Sequence, residues 1–291
     1  MNKKFANILV LYKKSAYQIY FLERKDSFLT RKKNFYLKEL DRFRQTHEEH
    51  YKSLAIIEQI LRSKKIKYSK RARGQKLDYS KYDFVITVGG DGTFLEAARH
   101  LVHQPMLGVN SDPSWSVGRF CIATIINFSR IIDQILRGKF KVQELSRVKM
   151  KINEKKSHVN VLNDLLVCHR NPASMSRYFM TIDGKGEEQK SSGVWIATAA
   201  GSTGAIASAG GKAMPFHSSE FQYKPRELYH GPNAKYNLGG GILSPHQSIK
   251  IVSLMRSGVV FTDGGHLNKS LPFGHSIVIS HSSEPLKIIQ V

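Results

Sequence analysis

Asp91 is the side chain in this sequence with the clearest chemical prospects. It stands in the run Gly89-Gly90-Asp91-Gly92-Thr93, directly after the apolar stretch VITV and ahead of a helix-like apolar pattern. Glycines around a lone carboxylate remove Cβ atoms and permit positive φ, so a phosphate can approach the backbone closely. A helix that opens there adds free N–H donors and a dipole favouring negative charge. At the end of the strand, the single carboxylate of Asp91 projects towards whatever binds there. The competing reading is a tight strand-to-helix turn with Asp91 as its N-cap. A glycine-rich run at the C-terminal end of a strand favours a nucleotide-phosphate site. The run is neither a Walker A motif nor a GxGxxG fingerprint.

Other stretches share this character. Asn163 and Asp164 form a polar pair within the apolar run VLNDLLV. Buried in a strand, they require partners, so they either cap a neighbouring turn or hold a polar ligand such as a ribose. Gly201-Ser202-Thr203-Gly204 follows the strand-like VWIAT and leads into a small-residue helix with Ala205 and Ser208. That second strand–turn–helix unit suits backbone and hydroxyl contacts to a nucleotide, and close helix packing is its alternative. Asp263-Gly264-Gly265 reads either as a further piece of the site or as a hairpin turn.

The elements that must position these residues fall into two textures. Strands are expected over 6–12, 83–88 and 106–109, with helices over 48–62, 93–102 and 127–136. Strands alternating with helices predict a doubly wound α/β domain. The charged stretch 23–46 reads as an excursion. After Phe140 come short β-rich segments at 148–152, 159–167, 177–182, 194–198, 248–254, 259–262 and 276–280, broken by Gly, Pro, Asn and Ser. This predicts a mostly antiparallel sheet domain. The expected organisation is therefore an α/β nucleotide-binding domain over 1–141 and a β-rich dinucleotide-binding domain over 142–275. A C-terminal segment over 276–291 is free to pack back on the first domain.

Composition bounds the possibilities. The 291 residues are 41% hydrophobic and 23% charged, as in a globular protein, and no stretch is long and apolar enough to span a membrane. The apolar run near the N-terminus meets Tyr12-Lys13-Lys14 with no small-residue cleavage site, which favours a buried first strand over a signal peptide. Cys121 and Cys168 lack metal-ligand spacing, so free thiols in a reducing, cytoplasmic compartment are expected and no protein metal site is. The formal charge of +22 is concentrated in residues 1–82. Few aromatics interleave those cations, so attraction of anionic nucleotides is favoured over nucleic-acid binding.

Taken in order, GGDGT, LNDLL and the GST segment with its AGG resemble the NAD kinase family. GVNSDP (108–113), the charged excursion before His47 and AAGSTGAIASAGGKAMP (199–215) look like its mitochondrial-type and plant NADH-kinase-like branches. The resemblance covers nearly the whole chain. It implies phosphorylation of the adenosine-ribose 2′-hydroxyl of NAD or NADH by ATP with a divalent metal, Mg²⁺ or Mn²⁺, in a homo-oligomer. Asp91 would be the general base, Gly92 and Thr93 would line the dinucleotide site, and Gly89 and Gly90 would belong to the same nucleotide-binding turn. Asn163 and Asp164 would hold the adenosine portion. Thr203, Gly204, Ala205 and Ser208 would contact the ribose, adenine and nicotinamide, within a shell including Gly201, Ser202, Asp263 and Gly264. The chain departs from the family in Asp164 for Glu, in Gly204-Ala205 for Ala-Tyr, and in Ser192, where a carboxylate near the nicotinamide is usual. The GGDGT turn also occurs in diacylglycerol and sphingosine kinases, so a lipid kinase is the second reading. A non-catalytic nucleotide-binding protein is the third.

Overall fold

The structure, a computed structural model, describes residues 5–25, 37–232 and 235–291. Part of the charged stretch expected as an excursion, residues 26–36, lies outside that set. The chain divides into two compact units, Met1–Gln143 with Lys287–Val291, and Glu144–Leu286.

In the first unit, continuous apolar runs make strands buried on both faces: β1 (Ile8–Tyr12), β3 (Phe84–Gly89) and β4 (Met106–Asn110). β2 (Tyr68–Ala72) pairs parallel to β1, and β1, β3 and β4 are parallel in turn. Helix α1 (Leu37–Ser63), helix α2 (Asp91–Ala98) and helix α3 (Phe128–Leu136) accompany the sheet. Leu54, Ile57 and Leu61 of α1 and Phe128, Ile131 and Ile135 of α3 share one core with Val10, Ile86 and Val109. α1 begins well before the expected start at 48, within the segment read as an excursion. Between positions 39 and 49 only Leu40 is buried, so no apolar stripe marks the first turns; His50 and Ser53 join the buried stripe further along.

After β5 (Lys141–Leu145) the second unit is nearly all antiparallel strand. One sheet contains β6 (Val148–Ile152), β7 (Lys155–Val161), β9 (Ser176–Ile182), β10 (Lys185–Ser191), β14 (Ser248–Ser253) and β17 (Ser276–His281), in the order β10-β9-β14-β17-β6-β7. The other contains β8 (Asp164–His169), β11 (Val194–Thr198), β12 (Phe221–Pro225), β13 (Gly241–Leu243), β15 (Gly258–Thr262) and β16 (Leu267–Ser270), in the order β13-β12-β11-β8-β15-β16. Alternate residues of both sheets, among them Met150, Tyr178, Ile251 and Ile279 facing Leu165, Ile196, Phe221 and Val260, form a single core. The run expected as one strand over 159–167 is two. Leu162 and Asn163 bend the chain out of β7, on the edge of one sheet, into β8, in the middle of the other. The last strand, β18 (Leu286–Gln290), joins the first unit's sheet, whose order is β2-β1-β3-β4-β18-β5. A mixed α/β unit and an antiparallel β unit are the fold class expected from the sequence.

Candidate active site

In the first unit, β3 ends at Gly89 and α2 opens at Asp91, with Gly90 as N-cap. Asp91 is therefore not the cap of this turn. It occupies the first helical position, where a negative charge is stabilised by the helix dipole. Its carboxylate accepts the backbone N–H groups of Arg119 at 3.1 Å and Phe120 at 2.9 Å. Each oxygen keeps a second lone pair, and the half-exposed side chain borders the exposed Gly92. The glycines are required for room and not for positive φ. A Cβ on Gly89 would collide with the Thr93 hydroxyl, and one on Gly90 with the Ser116 hydroxyl. Thr93 is buried, and its Oγ1 has no hydrogen-bond partner among the described residues. Cys121 donates weakly to the Gly89 carbonyl; burial, then the Asp91 charge, pushes its thiol up to about 12.

The loop after β4 is braced from several sides. Asn110 donates to the Ser116 carbonyl and accepts from the Asp112 N–H. His50 of α1 is fully buried and bonded at both ring nitrogens, to Lys13 O and to Ser111 Oγ, each at 2.8 Å. A carbonyl can only accept, so Nε2 carries the proton and Nδ1 accepts from the serine. Ser53 donates to the Ser111 carbonyl. Burial, then the Lys13 charge, holds His50 down at about 4.

In the second unit the bend at Leu162-Asn163 is pinned by Asp263. Its carboxylate accepts Leu162 N–H at 3.1 Å and Asn163 N–H at 2.7 Å. Asp263 itself holds φ 45°, followed by Gly264 at 100°. The buried Thr198 hydroxyl donates to the Leu162 carbonyl and accepts from Gly201 N–H. A Cβ on Gly201 would run into the Asn163 carbonyl, so glycine is what lets the GST turn cross this bend. Asp164 is only 6% exposed. Burial, then the Asp263 charge, pushes it up to about 7. The Asn163 amide and Asp164 carboxyl both border Gly204, each about 3.5 Å from where its Cβ would stand. Thr203, Ala205 and Ser208 are exposed around the short helix α4 (Ala205–Ser208), and Gly264 is exposed too.

The predicted residues thus fall into two clusters: Gly89 to Thr93 in the first unit, and Asn163, Asp164, Gly201, Gly204 and Asp263 in the second. Ser202 does not face outward. It is fully buried, and its hydroxyl accepts Met214 N–H at 2.9 Å. Ser192 is half-buried beside a cavity of about 400 Å³ that also meets Met175, Tyr229 and His230. Sequence reasoning missed the Arg119 and Phe120 N–H groups, His50 and Ser53, and the cations Lys13 and Arg73. Only the spacing of His50 and Ser53 along the Leu54–Ile57–Leu61 stripe signals any of them.

Comparison with known proteins decides the family. The profile of the ATP-NAD kinase N-terminal domain matches residues 11–140. A probable NADH kinase of Oryza sativa subsp. japonica is 40% identical over 229 residues, 71% of this chain and 70% of that one. The chain belongs to the NAD kinase family. An NADH kinase of Arabidopsis thaliana is 33% identical over 263 residues, 82% and 83% of the two chains. The solved NAD kinase of Archaeoglobus fulgidus in complex with ATP shares the fold, with a TM-score of 0.69 at 22% identity over 98% of this chain and 93% of that one. NAD kinase family membership thus rests on sequence over most of the chain, and both residue clusters lie in a fold shared with that solved NAD kinase.

Proposed function

We propose that this chain is an NAD(H) kinase in which Asp91 is the general base. ATP donates its γ-phosphoryl group to the adenosine-ribose 2′-hydroxyl of NAD or NADH, giving NADP(H) and ADP. The new bond joins the 2′-oxygen to the γ-phosphorus, the bond to the ADP oxygen breaks, and the hydroxyl proton passes to Asp91. The divalent cation, Mg²⁺ or Mn²⁺, arrives on the nucleotide phosphates and offsets their charge. Among the described residues no group of three His, Cys, Asp or Glu side chains could hold a metal ion.

The observation that carries this reading is the Asp91 carboxylate, turned by two backbone N–H groups and half-exposed beside the exposed Gly92. Phosphoryl transfer is mostly positioning and charge neutralisation, so one oriented base suffices. In the second unit, Asn163 and Asp164 hold the adenosine portion, with Gly204, Thr203, Ala205 and Ser208 around it. Asp263, whose carboxylate is taken up by the Leu162-Asn163 bend, positions Asn163. The first unit accordingly serves the phosphoryl donor and the second the dinucleotide. A homo-oligomer of two or more copies in the cytoplasm completes the proposal. Both cysteines are free, and no described helix is long and apolar enough to cross a membrane.

The test is purified protein with Mg-ATP and either NAD or NADH, the product read by an NADP(H)-specific dehydrogenase. Asp91→Asn is expected to lower turnover by about 10²–10⁴-fold while the dinucleotide KM changes little. Unchanged turnover in that variant removes Asp91 from the role. Running both dinucleotides at equal ATP reads out the effect of Ser192, where a carboxylate is absent. Phosphorylation of diacylglycerol or sphingosine in place of NAD(H) returns the lipid-kinase reading.

A further inference from the structure

We infer that Lys13 and Arg73 form a cationic clamp on the transferable end of the donor's triphosphate. The inference rests on the ATP-dependent reading above and assigns two residues to it. Lys13 follows β1 and Arg73 follows β2, and these adjacent parallel strands are in register, Tyr12 opposite Ala72. Both side chains therefore leave the carboxyl edge of the sheet, the edge at which β3 delivers Gly89 to Gly92. The backbone ties them there: Lys13 N–H donates to the Val88 carbonyl and Arg73 N–H to the Tyr12 carbonyl. An Arg73 terminal nitrogen lies 3.2 Å from the point where a Cβ on Gly92 would stand, against the residue next to Asp91.

Both cations are half-buried, and neither forms a salt bridge among the described residues. The acids that could have quenched them are otherwise engaged or out of reach. Glu96 accepts the Gly74 N–H at 2.6 Å. Asp112 acts on Lys13 through its field, yet it is only 2% exposed and its Oδ1 has no hydrogen-bond partner. Burial first, opposed by Asp112 and then assisted by Arg73, draws the Lys13 ammonium below its usual range. Two like charges brought together with water partly removed are unfavourable until an anion joins them. A terminal phosphate, carrying at least two negative charges beside the opening of α2, supplies that partner. As the bond between the γ-phosphorus and the ADP oxygen breaks, negative charge grows on the leaving oxygen and on the equatorial oxygens. A guanidinium over Gly92 and an ammonium beside it stabilise that charge where it develops.

The experiment compares Arg73→Ala, Arg73→Gln, Arg73→Lys and Lys13→Ala with Arg71→Ala. Arg71 is an exposed cation on the same strand, bonded to the Lys70 carbonyl. Melting temperature is read for each, and Arg73→Gln, which keeps the stem, stands in should Arg73→Ala fail to fold. Steady-state kinetics give KM and kcat for ATP and for NAD(H) separately, and calorimetry gives the affinity for inorganic triphosphate without turnover. Arg73→Ala is expected to lower kcat/KM for ATP by about 10²-fold or more, with the NAD(H) KM within about twofold. Triphosphate affinity should fall about tenfold in Arg73→Ala and in Lys13→Ala, Arg73→Lys should recover part of it, and Arg71→Ala should match wild type. ATP parameters and triphosphate binding equal to those of Arg71→Ala overturn the clamp. A defect confined to the NAD(H) KM also overturns it, by assigning the cations to the dinucleotide's diphosphate. Triphosphate binding that is lost in Arg73→Ala, in a wild-type protein that makes no NADP(H), keeps the clamp and removes the kinase reading alone.

Discussion

Asp164 and Asp263 share one buried corner of the second unit, and two negative charges there repel. Asp263 is committed as an anion by the two N–H groups it accepts, so the proton resides on Asp164, pushed up to about 7 by burial and by that neighbour. An unfolded aspartate ionises near its ordinary 3.8. Between those values the folded chain binds more protons than the unfolded chain, so stability falls as pH rises from about 4 to about 7 and then levels off. Because His50 contributes an opposite slope in the same window, the measurement is the stability difference between Asp164→Asn and wild type, by urea unfolding at a series of pH values. A difference that does not change between about pH 4 and about pH 7 would remove the shared-proton account. Nearby, Gly201→Ala sets a Cβ against the Asn163 carbonyl, which is backbone and cannot swing aside. A loss on the order of 2–4 kcal/mol is expected, or a displaced Asn163 and a raised NAD(H) KM. Gly265→Ala meets nothing within 4 Å and should behave as wild type.

Helix α1 shows how an element far from the reacting atoms sets their frame. His50 and Ser53 project from its buried stripe to hold Ser111 and the Lys13 carbonyl. Protonating His50 would break the bond from Ser111 and bury a charge near Lys13 and His47, which is why it titrates near 4. The unfolded chain takes up that proton below 6.5, so stability is lost as pH falls from about 6.5 to about 4 and stays constant below. His50→Ala should cost about 2–4 kcal/mol at about pH 7 by leaving a buried hydroxyl and a part-buried carbonyl unpaired, and its deficit relative to wild type should shrink at about pH 5; chemical denaturation of both proteins at the two pH values tests this. The same helix shows what was legible in the sequence. Strands β1, β3 and β4 announce themselves as unbroken apolar runs, and GGDGT marks its own turn. The first turns of α1 do not, because Leu40 is the only buried residue between positions 39 and 49 and no apolar stripe marks them. β2 and β10 are edge strands of largely polar residues, YSKRA and KGEEQKS. For β10 the one available signal was Asp183-Gly184, both at positive φ in a two-residue hairpin turn. The bend between β7 and β8 was hidden since its cause, Asp263, lies 100 residues away. The Arg119 and Phe120 N–H groups were equally illegible, for a backbone donor has no sequence signature.

At the scale of the molecule, a net charge of +22 and two anionic substrates imply long-range attraction. The KM values for ATP and NAD(H) should both rise as salt goes from about 0.05 to 0.5 M, while kcat changes less. The chain also passes between its units twice, after Gln143 and after Leu286. The second passage matters for folding because β18 is an interior strand of the first unit's sheet, between β4 and β5. Ile288 and Ile289 are buried, and Ile288 pairs with Met106 of β4, the strand that leads into Asn110, Ser111 and Asp112. Ending the chain after Pro285 therefore deletes no motif residue yet removes three buried aliphatic residues, Leu286, Ile288 and Ile289, worth roughly 1.5–3 kcal/mol each, and unpairs both neighbouring strands. That loss is a large share of the 5–15 kcal/mol or so that holds a domain folded. The truncated protein should lose cooperative melting in the first unit and lose kinase activity with it. Removing Val291 alone, a residue that is 44% exposed and lies beyond β18, should leave both unchanged. Melting followed by tryptophan fluorescence, with Trp115 in the first unit and Trp195 in the second, reads the two separately. A truncated chain whose Trp115 signal still melts as in wild type would show that β18 is dispensable.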